Sequence, residues 1–174
     1  TVDAVAPLEV QILAINDFHG NLEPPKFSIG ATAPDGSHVQ VPAGGVAHMA
    51  TAAKTLRAGR PYSITVSAGD IIGATPLVSA LYLDEPSIDA MNLVGVELNA
   101  VGNHEFDKGT SELKRMQAGG CERYTSRQPC ALEPFRGASF PFLAANTITP
   151  DGTPLFPATA IRLFGPVRIG FIGM

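Results

Sequence analysis

Clustered positive charge is the first thing this sequence lacks. Lys and Arg number 12 against 16 Asp and Glu, a formal net charge of −4, and no stretch gathers the basic residues into a patch. Nucleic-acid polymers are held largely by phosphate neutralisation at such patches, so the balance argues against a nucleic-acid partner. A small anionic substrate stays compatible with an acidic chain when a bound cation supplies the attraction. No apolar run approaches the ~20 residues that a membrane-crossing helix needs, and no membrane span is expected. The first residues have no basic segment followed by an apolar core, so no signal peptide is expected in the chain, a feature that a mature secreted protein shares.

Cysteine is scarce too. Only Cys121 and Cys130 occur, nine residues apart in a loop-like stretch without histidine, which disfavours a zinc site. Two readings remain open: a disulfide closing a surface loop, implying an oxidising compartment, or two free thiols in a reducing one. There are four histidines, none after His104. No internal repeat or low-complexity segment is visible.

What is present suits one domain with a sizeable core: 174 residues, 45% hydrophobic and 16% charged. Residues 1–8 read as a lead-in. Residues 10–15 form a compact apolar run with little alternation, the pattern of a strand covered on both faces. Residues 21–43 are rich in proline and read as loop, with a small hairpin around Asp35-Gly36. Residues 44–58 have helical spacing, with Lys54 and Arg57 in the last turns and Gly59 as the stop. Strands are then predicted at 62–66, 96–101 and 140–145, helices at 76–83, 86–93 and 110–118, and a hairpin at 158–164 and 167–172 around Gly165-Pro166. Alternating strands and helices predict an α/β fold with mixed β-sheet layers flanked by helices. Ligands of such sheets bind beyond the C-terminal ends of the strands.

Three of the predicted strands end in polar groups. The first runs into Asn16-Asp17-Phe18-His19, the second into Gly69-Asp70, and the third into Gly102-Asn103-His104-Glu105-Phe106-Asp107. Side chains two apart on an extended backbone point the same way, so Asp17 and His19 can reach one ion. Asp70, set behind a glycine, can bridge two cations or simply cap the next helix. Asn103 offers a neutral amide oxygen, or is a turn residue with left-handed backbone. His104 points elsewhere, toward a substrate, with Asp107 able to fix its tautomer; alternatively Asp107 caps the helix from Thr110. Glu105 supports the loop. His38 reads as a solvated turn residue and His48 as a surface or partly packed helix residue.

In this order and spacing, these motifs resemble the calcineurin-like metallophosphoesterases, and within them the 5′-nucleotidase family. Gly44-Gly45-Val46-Ala47 and Phe142-Leu143-Ala144-Ala145-Asn146 match that family as well, so the resemblance runs over most of the chain. It implies an α/β sandwich with two divalent metal ions (zinc, manganese or similar). Asp17 and His19 would ligate the first, Asp70 would bridge, and Asn103 would ligate the second. His104 would stabilise the transferring phosphoryl group and Asp107 would orient it. The implied reaction is hydrolysis of nucleoside 5′-phosphates or nucleotide sugars, in the periplasm or outside the cell. Cyclic-nucleotide phosphodiesterases, a sulfur-oxidation thiohydrolase and an inactive domain of the same fold are the alternatives. The family completes its metal site with later histidines that this chain does not contain. The expectation is therefore that residues 1–174 are the N-terminal part of a catalytic domain, incomplete at the C-terminus, with a further substrate domain outside it.

Overall fold

The computed structural model describes residues 7–26 and 28–174. Most of the lead-in at residues 1–8 thus lies outside the described residues. Four strands, β1 (Gln11–Ile15), β4 (Ser63–Ser67), β5 (Leu98–Ala100) and β6 (Phe142–Leu143), form a sheet in that spatial order. Every pairing in it is parallel, with Ile15 opposite Ser67, Ser67 opposite Asn99 and Ala100 opposite Leu143. Between them lie α1 (Val46–Arg57), α2 (Leu77–Ala80), α3 (Glu85–Val94) and α4 (Thr110–Ala118). A hairpin of β2 (Ser28–Thr32) and β3 (His38–Pro42) is inserted before α1, and a second hairpin, β7 (Thr159–Phe164) with β8 (Val167–Ile172), closes the described chain.

The sheet is buried on two sides by different means. On one, Met91, Val94, Leu113 and Met116 of the helices pack with Val101 and Phe142 of the sheet region. On the other, Ile64, Leu98 and Leu143 are covered by Phe164 and by the half-buried Ala160, Ile169 and Phe171 of the second hairpin. That hairpin is anchored by bonds from Ala144 N to Pro157 O and from Ala145 N to Gly173 O, 3.0 and 2.7 Å. Because the four strands run in chain order and are all parallel, their C-terminal ends share one edge. The loops after β1, β4 and β5 emerge there side by side.

Several boundaries differ from expectation for identifiable reasons. β1 is an edge strand with one face against the core, and Ile12 on its other face remains 48% exposed. β5 begins at Leu98 because the Val96 N–H bonds back to Met91 O and closes α3 instead. β6 is two residues long because Ala144 and Ala145 turn their N–H groups to Pro157 and Gly173. The second helix stops at Ala80, after which Leu83 and Asp84 adopt left-handed backbone. His38 starts β3 rather than sitting in the turn, and His48 is exposed on α1 with Nδ1 on Gly44 O at 2.8 Å.

Cys121 and Cys130 are joined as a disulfide, with Cα atoms 5.5 Å apart. The bond closes a short loop between α4 and β6. Chain-entropy reasoning for a nine-residue separation gives about 2–3 kcal/mol of stabilisation. Reduction is therefore expected to lower the urea midpoint measurably without unfolding the protein, and a Cys121→Ser, Cys130→Ser variant should match the reduced protein. Equal midpoints with and without reductant would contradict it.

Candidate metal centre

The loop after β1 is built by hydrogen bonds to the loop after β4. Asp17 N reaches Gly69 O at 3.1 Å, His19 N reaches Asp70 O at 2.9 Å, and Gly20 N reaches Ile71 O at 3.2 Å. Asp17 and His19 are not extended, as the sequence reading supposed: their φ angles are 50° and 46°. The left-handed turns still bring His19 Nε2 to 3.6 Å from Asp17 Oδ1, so the two side chains converge by another route. His19 Nδ1 lies 2.8 Å from Gly73 O. A carbonyl can only accept, so Nδ1 carries the proton and Nε2 presents its lone pair toward Asp17.

Asp70 caps no helix, since α2 begins after Pro76. Its backbone is left-handed at φ 55°, and Oδ1 accepts from His104 N at 2.9 Å. The β4 and β5 loops touch at two glycines. A Cβ at Gly69 would lie 2.7 Å from Gly102 N, and one at Gly102 would lie 2.3 Å from Asp70 Oδ1, so side chains are excluded from the contact.

Glu105 does more than support its own loop. Its buried carboxylate accepts from Asp70 N and Ile71 N, both at 2.9 Å, and from Gly102 N at 2.7 Å. Burial pushes its pKa up, opposed by those three backbone donors. One side chain thereby locks the two loops in register. Its neighbours in sequence gave little sign of this, because the partners lie 34 and 35 residues away.

Asn103 has right-handed backbone (φ −74°) and stands exposed at the head of a 3₁₀ turn, His104–Phe106, which removes the left-handed alternative. Asp107 does not cap α4, whose cap is Gly109. Instead its Oδ2 and Oδ1 accept from His104 Nδ1 at 3.0 and 3.2 Å. That bond leaves His104 Nε2 without a hydrogen-bond partner among the described residues. The His19 and His104 rings meet edge to face, 5.0 Å between centroids.

The result is a convergence of three loops. One ligand atom each from His19, Asp70 and His104 lies within 4.8 Å of the others, with Asp17 joined through His19 and Asp107 through His104. The donors are imidazole nitrogen and carboxylate oxygen without thiolate, a set that suits zinc, manganese, iron or cobalt. The group fits a divalent cation.

His104 has its pKa raised by the Asp107 hydrogen bond, against the opposing effect of burial, with the charges of Asp107, Asp70 and Glu105 adding to the rise. The sign follows: the charged pair adds stability below the ordinary histidine value and loses it as pH rises through the raised one. In chelator-treated protein, the His104 ring is expected to titrate above an ordinary histidine by NMR, and Asp107→Asn should return it toward that value. An unchanged titration in Asp107→Asn would contradict the pairing.

No protein-family model matches the chain. Among curated proteins, it is 50% identical over 163 residues to an uncharacterised protein from the pqq-V 5′ region of Acinetobacter calcoaceticus, covering 91% of this chain and 80% of that one. It is 34% identical to the endonuclease YhcR of Bacillus subtilis over 95% of this chain and 13% of that protein. The bovine 5′-nucleotidase is 34% identical over 63% of this chain and 18% of its own length. The chain thus spans most of the first relative and under a fifth of the other two. Among solved structures, the NAD nucleotidase of Haemophilus influenzae superposes with a TM-score of 0.69 at 24% identity, covering 95% of this chain and 26% of that one. A 5′-nucleotidase precursor from Thermus thermophilus gives 0.65 at 24% identity, covering 95% and 28%. At that identity the two structures speak for the fold, and the sequence relatives and the loop motifs carry the rest. The chain has the fold of these nucleotidase structures, and its sequence is similar over part of its length to curated 5′-nucleotidases.

Proposed function

We propose that the chain carries one part of the active site of a metal-dependent phosphohydrolase acting on nucleoside 5′-phosphates or related small nucleotides. The observation behind this reading is the convergence of His19, Asp70 and His104 from three separate strand ends. Asp17, His19, Asp70 and Asn103 would hold the ions, with Asp70 placed between the other ligands. Bound divalent ions would clamp phosphoryl oxygens, acidify an attacking water and neutralise developing charge.

The chain's own residues do the rest. Asp107 holds the His104 Nδ1 proton, so the ring is fixed with Nε2 outward. With Nδ1 engaged by Asp107, Nε2 is the atom from which a protonated ring can donate to a phosphoryl or leaving-group oxygen. Magnitudes agree with this division of labour. Phosphate monoester hydrolysis demands accelerations of up to ~10²¹, whereas an acid–base pair supplies typically ~10²–10⁴.

Two ions need more donors than Asp17, His19, Asp70 and Asn103 provide, even with water in the open positions. We infer that residues 1–174 form the N-terminal part of the catalytic domain and that further ligands come from another segment of the protein. The disulfide supports a periplasmic or secreted location. No helix among the described residues is long and apolar enough to cross a membrane.

The relative named an endonuclease makes a polynucleotide the competing substrate, while the net charge of −4 favours the small one. The deciding experiment offers the full-length protein a nucleoside 5′-monophosphate and single-stranded DNA, each with and without chelator. Metal-dependent phosphate release from the mononucleotide, well above DNA cleavage, is the expected result. Faster cleavage of DNA would overturn the substrate class, and the absence of chelator-sensitive hydrolysis would overturn the reaction.

A further inference from the structure

Behind the site lies a charged group that the proposed chemistry does not use. Asp84 has no exposed surface, and its backbone is left-handed, φ 67°. Its carboxylate accepts from Thr75 Oγ1 at 2.6 Å, Ser79 Oγ at 2.8 Å, Lys108 Nζ at 2.5 Å and, more weakly, Gly73 N at 3.4 Å. Burial would raise its pKa, but these donors and the lysine charge hold it below the ordinary carboxyl value. The aspartate is thus ionised and fully engaged.

The segment it grips is the one that touches both histidine systems. Gly73 O receives the His19 Nδ1 proton, and Ala74 N donates to Asp107 Oδ2 at 3.1 Å. The segment also presses on the catalytic loop, since a Cβ at Gly73 would lie 2.2 Å from His104 O and 2.8 Å from Asp107 Oδ2. Ala74 itself is held at φ 47°, a backbone that alanine adopts only when its surroundings dictate it. Lys108, directly after Asp107, ties the far side of the catalytic loop to the same carboxylate. Gly73 to Thr75 is therefore a strap, fastened beneath by Asp84 and bearing above on His19 and Asp107.

We propose that Asp84 and Lys108 are positioning residues that set, through the strap at residues 73–75, both the ring of the metal-ligating His19 and the orientation of the His104–Asp107 pair. This rests on the metal-centre reading above. Neither side chain hydrogen-bonds to Asp17, His19, Asp70, Asn103 or His104 among the described residues. Their effect passes through the Gly73 carbonyl, which fixes the His19 tautomer, and through the Ala74 N–H, which occupies Asp107 Oδ2.

The test uses the full-length protein, stripped of metal, with zinc affinity measured by competition with a chromophoric chelator and the melting temperature of the metal-free form recorded beside it. Asp84→Asn and Lys108→Met are each expected to weaken zinc binding about tenfold, the low end of what loss of a group behind a metal-ligating histidine does. Lys108→Arg should restore affinity. In the metal-free protein, the His19 Nδ1 proton should exchange faster with solvent in Asp84→Asn than in the parent. Phe164→Ala, which removes a buried side chain from the remote hairpin, should lower the melting temperature and leave zinc affinity unchanged. An Asp84→Asn protein that melts lower but binds zinc like the parent would make Asp84 merely structural and overturn the proposal. If Asp84→Asn fails to fold, Thr75→Val decides: loss of one donor should weaken zinc about fivefold, and an unchanged affinity overturns the proposal. A parent protein that binds no zinc, manganese or cobalt would instead defeat the metal-centre reading itself.

Discussion

Replacing Asp70 with asparagine is expected to abolish binding at the bridging position and to lower hydrolysis by about 10³-fold or more, while the protein stays folded. The substitution is chosen for what it preserves. Asp70 Oδ1 accepts from His104 N, and an amide oxygen can accept the same bond, so the junction between the two loops survives. Asp70 N and O, which reach Glu105 and His19, are untouched by the change. What disappears is one negative charge and one ligand oxygen at the point where three loops meet. Because an acid–base pair accounts for only ~10²–10⁴ of the required acceleration, the loss of cation binding removes the larger share. Metal content by emission spectroscopy, melting temperature and turnover of a nucleoside 5′-monophosphate check the three parts separately. Unchanged metal content in Asp70→Asn would remove Asp70 from the bridge, and a collapse of the melting temperature would mean that its main service is to the fold.

The parts of this site that could be read from the sequence are those whose chemistry is local. A strand followed by Gly-Asp, or by Gly-Asn-His-Glu, announces where polar groups leave a parallel sheet, and the sheet's common edge then brings those groups together. Asp17 and His19 do approach one another, His19 Nε2 lying 3.6 Å from Asp17 Oδ1, but by a different route from the one their spacing implies. An extended backbone was assumed, but the chain turns left-handed at both residues to bond with residues 69–71. Left-handed backbone at Asp and His leaves no compositional mark. The residues behind the site were not legible at all. Asp84 sits before a helix and Lys108 in a polar loop, and each alone reads as a solvated charge. Only the fold makes them partners, 24 residues apart, with Asp84 buried and Lys108 half-buried. Glu105 is intermediate: its presence in the motif was clear, but its three bonds across the loops depend on a register that the sequence does not display.

Arg115 is expected to give the largest stability effect of any single replacement outside the hydrophobic core. Its guanidinium, 2% exposed, donates from Nε and Nη2 to the two oxygens of Glu112 at 3.0 and 2.6 Å, and from Nη1 to Glu85 at 2.6 Å and to Gly120 O at 2.9 Å. Its Cζ also lies 5.1 Å from the centre of the Phe135 ring. Glu85 in turn accepts the N–H of Cys130, so the same cluster holds the disulfide loop against α3 and α4. Arg115→Ala strands two buried carboxylates and is expected to cost about 3–5 kcal/mol, a large part of a typical domain's ~5–15 kcal/mol. Arg115→Met with Glu85→Gln and Glu112→Leu removes the charges together, and should recover much of the loss because no ion is then left buried without a partner. Urea unfolding of the single and triple variants decides the matter. A triple variant no more stable than Arg115→Ala would mean that the packing of the guanidinium on Phe135, rather than the pairing of charges, is what the fold depends on there. Zinc affinity should be little changed in either folded variant, because the cluster fastens the disulfide loop and makes no hydrogen bond to Asp17, His19, Asp70 or His104 among the described residues.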